Sequence, residues 1–295
     1  MATTTDLIND IKILGSFPTS DELFSNNNYL RILDREMSNQ IVPLMTKINE
    51  EYFLSYKDVS VASGVSEYRM PKRAVGSVLR DVQMIDSAGN ITPLMRLNEE
   101  DKYSTTQGDL GYSIKGNQII LSPVPTSNAY SLRMAYFRRP SRFVLTSACA
   151  QVVSIDTVLN SVVVSNVPSS MSANVLVDFV QSESPYDILS IDSVISSVVG
   201  TTISFSSLPS DLAVGDYICL AGESCLPMVP EELVPLLSQA ALCVCLSSKK
   251  DKSVELELQK LEQMKQTVIN MLSPRVKSDD QKIKSRNNLL NYFRY

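Results

Sequence analysis

Five cysteines, Cys149, Cys219, Cys225, Cys243 and Cys245, carry the most distinctive chemistry in this 295-residue sequence. Their number is odd and no CxxC spacing occurs. The chain contains no histidine, so a four-ligand zinc site would have to be all cysteine or recruit carboxylates. The plain expectation is free, partly buried thiols in a protein assembled in a reducing compartment, with no cofactor and no metal. The missing histidine also removes the usual general base near neutral pH and the usual partner of a nucleophilic serine. Serine is abundant, yet there is no GxSxG elbow, which leaves a Ser–Lys pair as the one formally open hydrolase arrangement. Neither GxxxxGK[ST] nor GxGxxG is present, so no phosphate-cradling loop is indicated; Gly108–Gly111 (GDLG) reads as a turn. Adjacent acids at Glu99–Glu100–Asp101 and Asp279–Asp280 read as solvated turns or helix starts, because a glycosidase or two-metal nuclease needs acids that converge in a cleft. These absences point away from an enzyme.

Charge is unevenly spread. Residues 141–222 hold one cation, Arg142, against seven carboxylates: Asp156, Asp178, Glu183, Asp187, Asp192, Asp211 and Asp216. The five aspartates among them that sit near turns could in principle hold a hard cation, but no EF-hand spacing supports calcium, and turn aspartates ordinarily bond their own backbone. A smooth acidic module is better suited to repelling DNA than to gripping it. Residues 275–295 (RVKSDDQKIKSRNNLLNYFRY) reverse the sign, with six basic and two acidic residues. Removing those from the chain's 27 basic and 32 acidic residues leaves 21 and 30 on the first 274 positions. The same tail ends in Leu289, Leu290, Tyr292, Phe293 and Tyr295, apolar groups that gain by burial. Docking into an acidic, apolar groove of a protein partner is favoured over base stacking, and folding back onto the chain's own domain remains open.

The elements that must position these residues follow from periodicity. Residues 1–52 read as helical: a short helix capped by Thr4 or Thr5 and ending near Gly15, then a longer one from Asn27 or Asn28. Its stripe of Leu30, Leu33, Met37, Ile41, Leu44 and Ile48 is interrupted by Pro43, which should kink or divide it. Residues 53–140 change to strand periodicity, with a hairpin signal at Lys115–Gly116–Asn117 and a strand at Ser131–Phe137; a small antiparallel sheet packed on the helices is expected. Short β-branched runs separated by turns fill 141–222 and suggest an inserted antiparallel barrel or sandwich. Within it Ser154–Val158 (SIDTV) echoes Ser190–Val194 (SIDSV). Residues 223–274 return to helix, first a well-buried one, then one with Val254, Leu258, Leu261, Met264, Val268 and Met271 on a stripe and Glu257–Lys260 and Glu262–Lys265 on its wet face. No window of about twenty apolar residues would span a membrane, and the first residues lack a secretory leader's pattern. The expected architecture is α+β: the N-terminal part of a helical and sheet domain over 1–140, an inserted antiparallel β module over 141–222, helices over 223–274 that complete the first domain, and an extended arm over 275–295.

Several blocks, taken in order, resemble the head-to-tail adaptor (connector ring) proteins of short-tailed, podovirus-type bacteriophages. Leu33–Tyr52 (LDREMSNQIVPLMTKINEEY) is similar to that family's long first helix with its internal proline. Glu67–Ala74 (EYRMPKRA), Leu79–Ile85 (LRDVQMI), Lys115–Pro125 (KGNQIILSPVP) and Leu132–Pro140 (LRMAYFRRP) are similar to its successive blocks. Asp211–Ser224 (DLAVGDYICLAGES), followed by Pro227 and Pro230, resembles the end of its inserted β module, and Lys284–Asn291 (KSRNNLLN) its usual ending. The resemblance implies a virion protein forming a homo-oligomeric ring, typically of twelve copies, beneath the portal protein and above a tail or nozzle protein, with DNA passing through the lumen without sequence-specific binding. It implies that the C-terminal arm reaches the portal, which nominates Arg286, Leu289, Leu290, Tyr292, Phe293, Arg294 and Tyr295. Leu30, Leu33, Met37, Ile41, Val254, Leu258 and Leu261 are expected to bury between helices, within or between subunits. The Ser/Val-rich, lysine-poor island departs from the family pattern and leaves open what the β module touches. The alternatives are another neck or tail ring component, such as a nozzle or baseplate subunit, and a cellular β-module binding protein.

Overall fold

Thr3 opens the first helix, α1 (Thr4–Leu14), with a capping box: its hydroxyl accepts from the Asp6 N–H, and the Asp6 carboxylate accepts from the Thr3 backbone. The cap lies one position before the expected Thr4 because Thr4 has other work. Its N–H donates to the Cys225 carbonyl at 2.8 Å and its hydroxyl to the Val144 carbonyl at 2.7 Å, pinning the helix start to a distant part of the chain. At Gly15, which caps the C-terminus, a Cβ would lie 2.5 Å from the Phe17 ring and 2.9 Å from Leu242. The structure, a computed structural model, describes residues 2–18, 24–98 and 110–272.

The long second helix is divided, as Pro43 demands. It runs as α2 (Asn26–Glu36), a single π-helical turn at Met37–Ile41, and α3 (Val42–Ile48). Proline offers no N–H to the carbonyl four residues back and its ring crowds that carbonyl, so the wider turn forms just ahead of it. Leu30, Leu33, Met37 and Ile41 are buried along the stripe, but Met45 takes the next core position while Leu44 and Ile48 are only half-buried. α4 (Val234–Lys249) is apolar on nearly every side and forms the centre of the helical core, with α1, α2 and α5 (Val254–Leu272) packed around it. The expected surface pairs on α5 are present: Lys260 Nζ lies 2.7 Å from Glu257 and Lys265 Nζ 3.8 Å from Glu262.

Between positions 54 and 138 the described residues form two four-stranded sheets, not one. β1 (Leu54–Ser60), β8 (Ser131–Arg138), β3 (Ala74–Ile85) and β4 (Ile91–Pro93) make one antiparallel sheet; β2 (Glu67–Arg69), β7 (Gln118–Ser122), β6 (Gly111–Lys115) and β5 (Met95–Arg96) make the other, with a parallel edge where β5 meets β6. The two sheets share their own core, with Val82, Met84, Leu132 and Met134 from one and Tyr68, Tyr112, Ile119 and Leu121 from the other. Each sheet is thus the apolar partner surface the other needs, and the expected packing of a single sheet on the helices gives way to sheet-on-sheet packing. The helical core reaches this module at its end, through Phe53. The β6–β7 hairpin has the two-residue loop Gly116–Asn117, with Gly116 at φ +60°, the position a type II′ turn reserves for glycine.

The serine- and valine-rich island is a closed six-stranded barrel. β10 (Ala150–Asp156), β11 (Ser161–Val164), β14 (Thr202–Phe205), β13 (Ile188–Val199), β12 (Leu176–Val180) and β15 (Tyr217–Leu220) pair around the ring and back to β10. Closure removes exposed sheet edges. Val162, Val164, Val177, Phe179, Ile195, Ile203, Phe205 and Ile218 fill the interior, and the Phe179 and Phe205 rings meet at 4.9 Å between centroids. β9 (Arg142–Phe143) and β16 (Glu223–Ser224) pair in parallel as a two-stranded stem through which the chain enters and leaves the barrel. The mixed α and β architecture with an antiparallel barrel is therefore as the sequence predicts, while residues 275–295 lie outside the described residues. The two SID segments are not equivalent: Ser154–Asp156 ends strand β10, whereas Ser190–Asp192 lies inside β13 at a bulge.

Candidate functional site

Asp178 and Val180 on β12 point away from the barrel interior yet are fully buried, because this side of the barrel is covered by the sheet module and the stem. Asp178 accepts four hydrogen bonds from three groups. Arg73, in the connection between β2 and β3, donates to both its oxygens at 2.6 and 3.0 Å, the Asp192 N–H donates at 3.0 Å, and the Gly222 N–H at 3.0 Å. Arg73 also reaches Asp192 at 3.0 Å. Asp192 sits at φ +57°, an uncommon conformation for a side chain larger than glycine, and this arrangement of hydrogen bonds fixes it there. One guanidinium thus joins the sheet module, two barrel strands and, through Asp178, the stem.

These contacts correct the reading of the island as a uniformly acidic surface. Asp178 and Asp216 are buried structural acids; Asp216 accepts from the Ser182 and Ala213 N–H groups, each at 2.8 Å. Asp156 accepts from the Val158 and Leu159 N–H groups of its own turn. Among the described residues the acids do not gather with other ligating side chains into a group of three or more. A second arginine makes the contrast with Arg73. Arg138, at the end of β8, has a buried Nε without a hydrogen-bond partner among the described residues, as does the Tyr52 hydroxyl nearby. Burial holds the Arg138 guanidinium below its ordinary pKa and pushes the Tyr52 hydroxyl well above the usual phenol range.

Where the barrel meets the body, a second apolar cluster contains three of the five cysteines. Cys149 precedes β10, Cys219 is on β15, and Cys225 follows β16; all three are buried, with Val180, Tyr186, Tyr217, Leu226 and Met228 around them. Their sulfurs lie within 4.8 Å of one another. Hydrogen bonding to Cys149 is the largest influence raising the Cys219 thiol well above its ordinary range, with burial adding to it and the hydrogen bond to Cys225 opposing. Spacing in sequence hid this group, since 70 residues of barrel separate its first two members; the closed topology of an insertion is what brings them together. Cys243 and Cys245 are buried separately on α4.

No protein-family model and no curated protein matches the chain. The residues nominated for helix packing are therefore judged by their surroundings. Leu30, Leu33, Met37, Ile41 and Leu261 are buried within the single chain, Val254 is half-buried, and Leu258 remains 48% exposed. Leu258 and Val254 edge an open cleft of about 610 Å³ between the π-turn, α4 and α5, alongside Glu36, Gln40 and Val244. Further along α5 a more apolar groove of about 530 Å³ is lined by Glu232, Lys260, Met264, Val268 and Met271. Leu256 and Met271 are exposed as well. The arm residues Arg286, Leu289, Leu290, Tyr292, Phe293, Arg294 and Tyr295 lie outside the described residues. No helix of the described residues is long and apolar enough to cross a membrane.

Proposed function

We propose that the chain is a structural, non-enzymatic subunit of a bacteriophage head-to-tail adaptor ring, docking on the portal, extending the DNA channel and offering the tail a platform. The observation that carries this reading is the face of α5. Leu258 and Met271, at either end of the stripe that buries Leu261 and Val268, stand exposed, and each lines an open cleft. Apolar side chains at open clefts gain by burial against another protein, and in a closed ring every copy can bury such a surface against its neighbour. The ordered sequence resemblance to adaptor proteins names the kind of assembly. The barrel supports it too: a module clamped to the body by a buried ion pair is suited to bearing load at a fixed angle. The cationic, aromatic arm complements the acidic body and would engage the portal, where many arms acting together gain avidity that one lacks.

Mixing the full chain with the portal of the same phage, with and without residues 286–295, tests the reading. The full chain should join portal in a ring seen by electron microscopy, and the truncated chain should stay unattached with an unchanged circular dichroism spectrum. A full-length chain that remains near 33 kDa in the presence of portal would refute the adaptor assignment; normal docking of the truncated chain would refute the role of the arm.

A further inference from the structure

The three sulfurs at the barrel root sit where the insertion meets the body at three separate points: the strand entering the barrel, the last barrel strand, and the chain returning past the stem. Three sulfurs around one ion, with bonds of about 2.3 Å, stand roughly 4 Å apart. The backbone already holds Cys149, Cys219 and Cys225 within 4.8 Å of one another. We infer that these three cysteines form a trigonal binding site for a soft, thiophilic d10 metal ion, with copper(I) the best-fitting member of that class.

The donor set decides the class of ion. No carboxylate belongs to the group, which disfavours calcium and magnesium. Structural zinc and iron–sulfur centres take four protein ligands. The chain has no histidine, and no further cysteine or carboxylate joins the cluster among the described residues. Copper(I) is satisfied by three sulfurs and is selected by soft ligands. On binding, two thiols lose their protons to solvent and the third coordinates as a neutral thiol, so one monovalent cation and two thiolates leave a single negative charge. Two features face that charge. The N-terminus of α1, the positive end of its dipole, abuts the cluster, with the Thr4 N–H on the Cys225 carbonyl at 2.8 Å. The Glu223 carboxylate stands on the other side of the balance, acting against negative charge at Cys149. Because two protons leave as the ion binds, uptake strengthens as pH rises. The ion's role is a staple that locks the angle between barrel and body.

The test uses the full chain, purified reduced and without oxygen, and titrated with the coloured copper(I) complex of bicinchoninate. Expected are transfer of one copper equivalent per chain, a rise in Tm of about 5 °C, and three sulfur neighbours in the copper X-ray absorption spectrum. Cys225→Ser should lose the transfer, whereas the Cys243→Ser, Cys245→Ser double variant should keep it. Should Cys225→Ser fail to fold, the absorption spectrum of the wild type alone decides: two or four sulfur neighbours overturn the site. Copper left on the chelator by the wild type, even after refolding in its presence, overturns it too, as does tighter binding of zinc than of copper in the parallel titration. Neither result depends on whether the chain assembles into a ring.

Discussion

Arg73 and Arg138 are the same residue type in contrasting surroundings, and the difference predicts opposite outcomes. Arg73 satisfies a buried carboxylate with two hydrogen bonds and shares Asp192 besides. Arg73→Leu strands Asp178 in an apolar setting with only backbone donors left, and should cost about 3–5 kcal/mol in urea unfolding. Arg73→Lys keeps the charge but loses the fork, so it should recover only part of that loss. Arg138 carries its charge into the interior with an unpaired Nε. Arg138→Leu removes that desolvation penalty and should be neutral or stabilising by about 1 kcal/mol in the same assay; a loss as large as that of Arg73→Leu would show that Arg138 has a partner. Half of the Arg73 site has a signal in the sequence, which the reading of Asp178 as a turn aspartate passed over. An aspartate in the middle of the apolar run Ala173–Val180 (ANVLVDFV) signals a buried acid, because strand alternation leaves it few ways out. Its partner was not legible, since nothing local in Pro71–Ala74 (PKRA) distinguishes an arginine that reaches across 105 residues from one that is solvated.

At the scale of elements, α5 is read by comparing its two sides. Leu261 and Val268 face α4 and the helical core, and their identities follow from a helical period. Leu258 belongs to the same predicted stripe but stays out because the stripe drifts around a helix of 19 residues and its N-terminal part overhangs a cleft instead of the core. Periodicity locates an apolar face; it does not say how far along the helix the partner extends. Leu258→Glu should therefore leave monomer stability within about 0.5 kcal/mol, while reducing ring formation in cross-linking or native mass spectrometry. Unfolding of the monomer by this substitution would place Leu258 in the core and remove the main support for the proposed contact. The divided second helix teaches the complementary lesson. Pro43 announced the break, but the π-turn that absorbs it, and the move of the core contact from Leu44 to Met45, depend on how α4 meets that turn.

For the whole molecule, the modular order was legible and the packing of modules was not. Regular β-branched runs such as Ser161–Val164 and Thr202–Phe205 are explained by a closed barrel whose strands alternate inward and outward. The pairing of two small sheets escaped notice because each has one apolar face, and a sequence does not state whether a helix or another sheet will cover it. Insertion of a closed module makes a firm prediction about independence. The stem holds the two ends of the barrel segment together, with the Arg142 N–H donating to the Gly222 carbonyl at 2.8 Å, so the module's ends are adjacent as in other tolerated insertions. The barrel interior, from Phe179 to Phe205, draws on barrel residues alone. Residues 145–222 expressed by themselves should therefore fold cooperatively, with near-ultraviolet circular dichroism from packed rings and a single urea transition. Their stability should fall below that of the barrel in the full chain, because Val180, Tyr217 and Cys219 lose their cover and Asp178 loses Arg73. In the fragment, however, Asp178 faces water and keeps the Asp192 N–H, so Asp178→Asn should cost far less there than in the intact chain. Equal cost in both settings would mean that the acid serves the barrel's own closure and not its attachment to the body.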